Sequence, residues 1–182
     1  MTRFDLYPIL GLAALMATTR FHHFAPLPNA SLAVFFLTGR FLASPWAFAL
    51  FLAEAGLIDY LAIAYGGVSG WCVTPAYPFL LPTYGVLWLG GRLSRRYELS
   101  ELAGLSAALA ILSVSTLIAF CISNLSFYAF SGYFAALDLK SYAVRVLPYL
   151  VPYLAAPLIY TALILAAHRA FKQAKASLPQ VS

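Results

Sequence analysis

Apolar residues in this chain come in long runs separated by short polar, basic or Gly/Pro-rich connections. Six such segments can be drawn, at about 6–21, 30–43, 44–65, from beyond Pro75 or Pro78 to Gly90, 102–123 and 146–168. Each reads as a helix. The third has the clearest start, because Ser44-Pro45 sets a capping hydroxyl and a helix-initiating proline before the run. A full crossing of ~30 Å of hydrocarbon takes about 20 helical residues. The first, second and fourth segments are short by that measure, and the second also carries Arg40. The pattern predicts an all-α integral membrane protein of six transmembrane helices. It forms one domain, 1–182, with a short disordered tail at about 173–182.

Composition strengthens this reading. The chain is 63% hydrophobic and 9% charged, against about 25% charged in soluble domains, so it lacks the polar surface of a water-soluble fold. The first run ends in Thr-Thr-Arg-Phe-His-His without a small-x-small site, so no cleavable leader is expected. The formal net charge of +5 finds its first explanation in topology, and no nucleic-acid partner is expected. With six crossings the termini share one side. That side collects Arg3, Arg40, Arg92, Arg95, Arg96, Arg169, Lys172 and Lys175, leaving Arg20, Lys140 and Arg145 opposite. The excess of basic residues predicts that both termini are cytoplasmic. Five crossings would split the basic termini and fit worse.

This orientation sends the connections 21–29, 66–76 and 124–145 outward, and these carry most of the groups capable of chemistry. The most irregular stretch is 66–82, GGVSGWCVTPAYPFLLP. A Pro- and Gly-rich break among membrane segments must satisfy its own backbone polar groups, which suits the wall of a ligand site. Cys72 lies in it. A thiolate is a soft ligand for transition metals. Cys121, in AFCIS, reads more simply as a small apolar packing residue. Two cysteines allow one bridge, Cys72–Cys121, as a competing arrangement.

Asp59 lies near the outer end of the third segment, and an ionisable group there marks either a functional position or a structural pair with Arg20 or Arg145. Glu54, deeper in that segment and on a different face, reads as a buried carboxylate bonded to a neighbouring helix. His22 and His23 are adjacent and point apart on a helix; without a CxxC, HxxxH or HExxH pattern, no independent metal site is expected. No phosphate-binding loop or nucleophile elbow is present, so energy input would come from a partner. Eight tyrosines, Tyr77, Tyr142 and Tyr149 among them, fall toward the outer half, as an interfacial belt or as contacts to a large amphipathic ligand. Ala13-x-x-x-Ala17 puts small residues on one face of the first helix, where another membrane helix can approach.

These features together resemble the S-components of energy-coupling factor (ECF) transporters, small six-helix membrane proteins that capture a vitamin at the outer face. The six-helix length, the Ala13/Ala17 pair and the turn FHHFAPLPNASLAVFFLTG carry the resemblance over most of the chain. The stretch DYLAIAYGGVSGWCVTPAYP, with Asp59, Cys72 and Tyr77, and Arg145 before the sixth segment, is more specifically similar to the BtuM type, the proteobacterial vitamin B12 (cobalamin) members. The resemblance implies that Cys72 ligates the cobalt of cobalamin and assists removal of cyanide from cyanocobalamin. It also implies that Asp59, Tyr77 and Arg145 surround the corrinoid. Ala13 and Ala17 would dock a transmembrane coupling subunit, itself driven by paired ATPases. The location implied is the bacterial inner membrane, with the binding site facing the periplasm. Other readings remain open: an S-component for a different small molecule, a membrane thiol or redox enzyme using Cys72 and Cys121, or a structural subunit.

Overall fold

The computed structural model describes residues 3–20 and 28–176. Its α-helices are α1 (Arg3–Arg20), α2 (Ser31–Phe41), α3 (Pro45–Ala64), α4 (Leu80–Ser94), α5 (Leu102–Phe130), α6 (Leu139–Val146) and α7 (Leu150–Ala176). Single 3-10 turns at Gly70–Cys72, Tyr77–Phe79 and Leu147–Tyr149 join them. No strand occurs among the described residues. Three stretches are long and apolar enough to cross a membrane: Pro45–Ala64, Leu102–Phe130 and Leu139–Ala174. The chain is thus an all-helical protein with membrane-spanning character.

The second apolar segment is short because it lies inside the bundle. The 11 residues of α2 rise about 16 Å, well under the ~30 Å of a bilayer core. Val34, Phe35, Phe36 and Leu37 have no exposed surface, and α1, α3, α4 and α7 all pack on this helix. An apolar helix covered all round belongs in a core. Its closest neighbour is α4. A Cβ placed at Gly91 would sit 1.9 Å from the Phe36 carbonyl oxygen, and one at Gly39 would sit 2.0 Å from that of Trp88. Glycine at these positions lets two backbones touch, the usual device where lipid offers no hydrophobic drive between helices. Phe35 and Tyr84 stack across the same interface, with ring centroids 4.1 Å apart.

Helix ends follow local chemistry. Ser44 Oγ accepts the Ala47 amide at 3.5 Å, with Pro45 in the first turn of α3. At its other end Gly67 takes φ +68° and the Val68 amide returns to the Ala62 carbonyl at 3.1 Å, which closes the helix and turns the chain toward Cys72. The largest departures from the expected segments lie at the ends of α5 and α7 and in the connection between them. Helix α5 continues to Phe130, beyond the expected end near residue 123, because Asn124 and Ser126 bond back to the Phe120 and Ser123 carbonyls instead of breaking the helix. The connection after it folds into α6, started by Asp138, whose carboxylate accepts the Ser141 amide at 3.0 Å. At the C-terminus α7 runs through residues 173–176, where a disordered tail is expected. Residues 177–182 lie outside the described residues.

Candidate functional site

Cys72, Asp59, Tyr77 and Arg145, drawn from three separate parts of the sequence, all line one cavity of about 570 Å³. It opens at the end of the bundle where α1, α3 and α5 finish and α2, α4 and α7 begin. Residues from the 66–79 connection, α5 and α6 form its walls.

At the base of this cavity lies an ion pair. Arg20, at the last position of α1, grips Asp59 with two parallel bonds, Nε to Oδ1 at 2.7 Å and NH2 to Oδ2 at 2.6 Å. Its other terminal nitrogen donates to Ser31 Oγ at 2.9 Å and to the Tyr84 hydroxyl at 2.8 Å. Tyr77 then donates its hydroxyl to Asp59 Oδ2 at 2.8 Å. Five side chains from α1, α2, α3, α4 and the intervening loop are tied at one point. Arg20 is only 9% exposed, so both the planar guanidinium fork and a full set of acceptors are needed to keep a charge there. Burial first, and then the bond to Asp59, hold the Tyr77 phenol above its ordinary pKa. Of the two roles open to Asp59, the structural pair with Arg20 is present, and its residual exposure of 25% faces the cavity.

The loop that carries Cys72 supplies its own backbone partners. Ser69 Oγ accepts the Trp71 amide at 3.3 Å, the Val73 amide donates to Gly70, and the Thr74 hydroxyl and carbonyl accept the Ala76 and Tyr77 amides. This leaves the Cys72 side chain free of structural duty; its thiol is exposed and unbridged. Cys121 is also free and exposed, and does not line the cavity. The expected buried packing role for Cys121 is therefore not what α5 gives it, because its position on the helix faces away from the bundle. No Cys72–Cys121 bridge forms.

Aromatic rings also line the cavity, Trp71, Phe127, Phe134 and Tyr142 among them. Trp71 stacks on Tyr133 with centroids 4.9 Å apart and planes 10° apart, and meets Phe127 edge-on at 5.0 Å. Contacts continue from Phe127 to Phe134 and from Phe134 to Tyr142, at 5.8 and 4.8 Å. The Tyr142 and Tyr128 hydroxyls donate to the Asn124 and Leu137 carbonyls, which staples the α5–α6 connection back onto α5. Arg145 projects from the exposed side of α6. It has no ion-pair partner, since Arg20–Asp59 is the one salt bridge among the described residues. The lining thus combines flat apolar faces, a neutralised carboxylate and a free guanidinium.

Phe127, Phe134 and Asn124 were not among the site residues expected from sequence; the one signal for them is the aromatic density of NLSFYAFSGYF. Glu54 is half-buried on α3 but has no hydrogen bond or ion pair among the described residues, so the expected bond to a neighbouring helix is not made. His22 and His23 lie outside the described residues, which contain no group of three metal-ligating side chains. On α1, Ala17 is exposed, whereas Ala13 is half-buried and packs on the core. The open strip of that helix is Tyr7, Leu10, Gly11, Ala14, Ala17 and Thr18. No protein-family model matches the chain, and no curated protein matches it.

Proposed function

We propose that this protein is a membrane uptake protein for vitamin B12, an S-component of the ECF type that captures the corrinoid at the outer face. The observation that carries the reading is the convergence of Cys72, Asp59, Tyr77 and Arg145 on one cavity, although they are scattered over almost ninety positions of the chain. An accessible thiol with no structural role, set among flat aromatic faces, suits a large ring system with a soft-binding metal at its centre. Arg145 and the Asp59 oxygens suit the phosphate and amide groups at a corrinoid's edge.

The reaction at Cys72 is a ligand exchange without redox change. The thiol sulfur bonds to cobalt, the cobalt–cyanide bond breaks, and the thiol proton leaves with cyanide as HCN. At about 570 Å³ the cavity is of the size that encloses a drug-sized ligand. A corrinoid is larger, so part of it would remain outside in this conformation.

The finer topology belongs to the same proposal. Six helices, α1 to α5 and α7, alternate in direction through the membrane domain, the short α2 buried among the others, with both termini in the cytoplasm of a bacterial cell and α6 along the outer face. Support comes from the clustering of Arg20, Asp59, Tyr77 and Tyr149 at one end and of Arg40, Arg95, Arg169 and Lys172 at the other. Transport then uses a transmembrane coupling subunit and its ATPases. Equilibrium dialysis of the detergent-solubilised full chain against cyanocobalamin tests the binding reading. Saturable binding near one vitamin per chain is expected. No binding under saturating vitamin would refute it.

A further inference from the structure

A second cavity, of about 420 Å³, lies at the opposite end of the bundle. Helix α2 connects the two: Ser31 at its start bonds to Arg20 in the first site, and Arg40, nine residues on and roughly 14 Å along the axis, lines the second. The lining holds four permanent cations, Arg40, Arg95, Arg169 and Lys172, together with His168 and one carboxylate, Glu98.

Arg40 is the informative member. It is 8% exposed, yet every partner it has is neutral: the Ser94 carbonyl and hydroxyl on one nitrogen and the Tyr97 carbonyl on the other. At the Cys72 end the buried guanidinium has a carboxylate; here it has none. Glu98 does not supply one, because it makes no ion pair and accepts only from Ser100. A buried charge held by neutral dipoles and surrounded by like charges lacks its counter-ion. Loop basicity that merely sets orientation would lie on the surface, as Arg96 does.

The elements around this cavity also expose apolar side chains, Leu93, Leu102 and Phe171 among them. Phe41 and Leu99 form part of the lining itself. A phosphate with hydrocarbon attached matches that combination better than a free ion, and basic pockets between membrane helices on the cytoplasmic side have this character. We infer that the Arg40 cavity binds the phosphate headgroup of an anionic phospholipid, with Arg95, Arg169 and Lys172 as its accessible contacts and Arg40 as the buried counter-charge. The inference does not depend on what occupies the Cys72 cavity.

The test is thermal unfolding of the full chain in a neutral maltoside detergent, titrated separately with dioleoylphosphatidylglycerol, dioleoylphosphatidylcholine and sodium phosphate. Phosphatidylglycerol should raise the midpoint saturably, phosphatidylcholine should not, and added salt should weaken the effect. Arg40 substitutions endanger folding, so the deciding variants are at exposed positions. Arg95→Gln should weaken the half-saturating concentration about fivefold and Arg95→Gln/Lys172→Gln about thirtyfold. Arg96→Gln removes the same charge one residue outside the cavity and should leave it unchanged. Equal effects of Arg95→Gln and Arg96→Gln, or of the two lipids, would overturn the site. An equal shift from sodium phosphate alone at the same concentration would assign the cavity to a soluble anion and overturn the lipid reading.

Discussion

Arg20 and Asp59, thirty-nine residues apart, form a two-bond ion pair that joins the end of α1 to the end of α3 directly beneath the Cys72 cavity. Removing one partner leaves a charge in a place built for two. Asp59→Asn is expected to cost about 3–5 kcal/mol of stability, since Arg20 stays buried and unpaired. The double variant Arg20→Met/Asp59→Leu should lose less than Asp59→Asn alone. A double-mutant cycle built from Arg20→Met, Asp59→Leu and the double variant, read by thermal unfolding, checks this. Additive losses would show that the pair is not coupled.

The α2–α4 contact gives a second prediction. A methyl at Gly91 meets backbone oxygen at 1.9 Å, and backbone cannot rotate aside. Gly91→Ala should therefore destabilise by at least about 1–3 kcal/mol. Gly85→Ala, on the same helix with nothing within 4 Å, should be neutral or slightly stabilising. Unfolding midpoints of the two variants make the comparison, and similar values would contradict the packing described.

Asp138 starts α6, the helix that carries Arg145 to the cavity. Its bonds from the Ser141 hydroxyl and amide hold the carboxyl below its ordinary pKa. A depressed native pKa means that the stabilisation is present above the unfolded value and is lost as pH falls through the native one. Amide exchange protection at Ser141 should therefore decline below about pH 4. In Asp138→Asn, which keeps a capping oxygen, protection should be insensitive to pH over that interval. An unchanged profile in wild type would remove the cap from the account.

How far the fold was legible depends on which interactions are local. Ser44-Pro45 announced α3 because a cap and a first-turn proline act within four residues. The partnership of Asp59 with Arg20 was within reach of charge topology, which put both on one side. The Tyr84 contribution was not, because it depends on how α4 packs against α2, sixty-four residues from Arg20. Polarity at Asn124 and Ser126 suggested a helix end where the side chains in fact bond back along the helix. Helix α6 had a signal in Asp-x-x-Ser, but a short amphipathic turn is invisible to a search for apolar runs. The candidate residues Cys72, Tyr77 and Arg145 stood out in the sequence as residue types in unusual places; that they share one cavity with Asp59 was visible only in three dimensions.

The two alanines proposed for docking differ in environment and should behave differently. Ala17→Leu adds bulk to an exposed face, so vitamin uptake by cells should fall while binding by the purified protein persists. Ala13→Leu forces bulk against the core and should lower stability as well. Parallel loss of uptake and binding in Ala17→Leu would argue against a docking face on α1.

The central claim is that Cys72 is the group that meets the metal of the substrate. The most direct measurement is the visible absorption spectrum of the purified full chain after incubation with cyanocobalamin and removal of unbound vitamin, for wild type and Cys72→Ala. The account predicts bound corrinoid in both. The spectrum should be shifted from the cyano form, with HCN released, in wild type alone. A wild-type spectrum identical to free cyanocobalamin, or the same shift in Cys72→Ala, would contradict it.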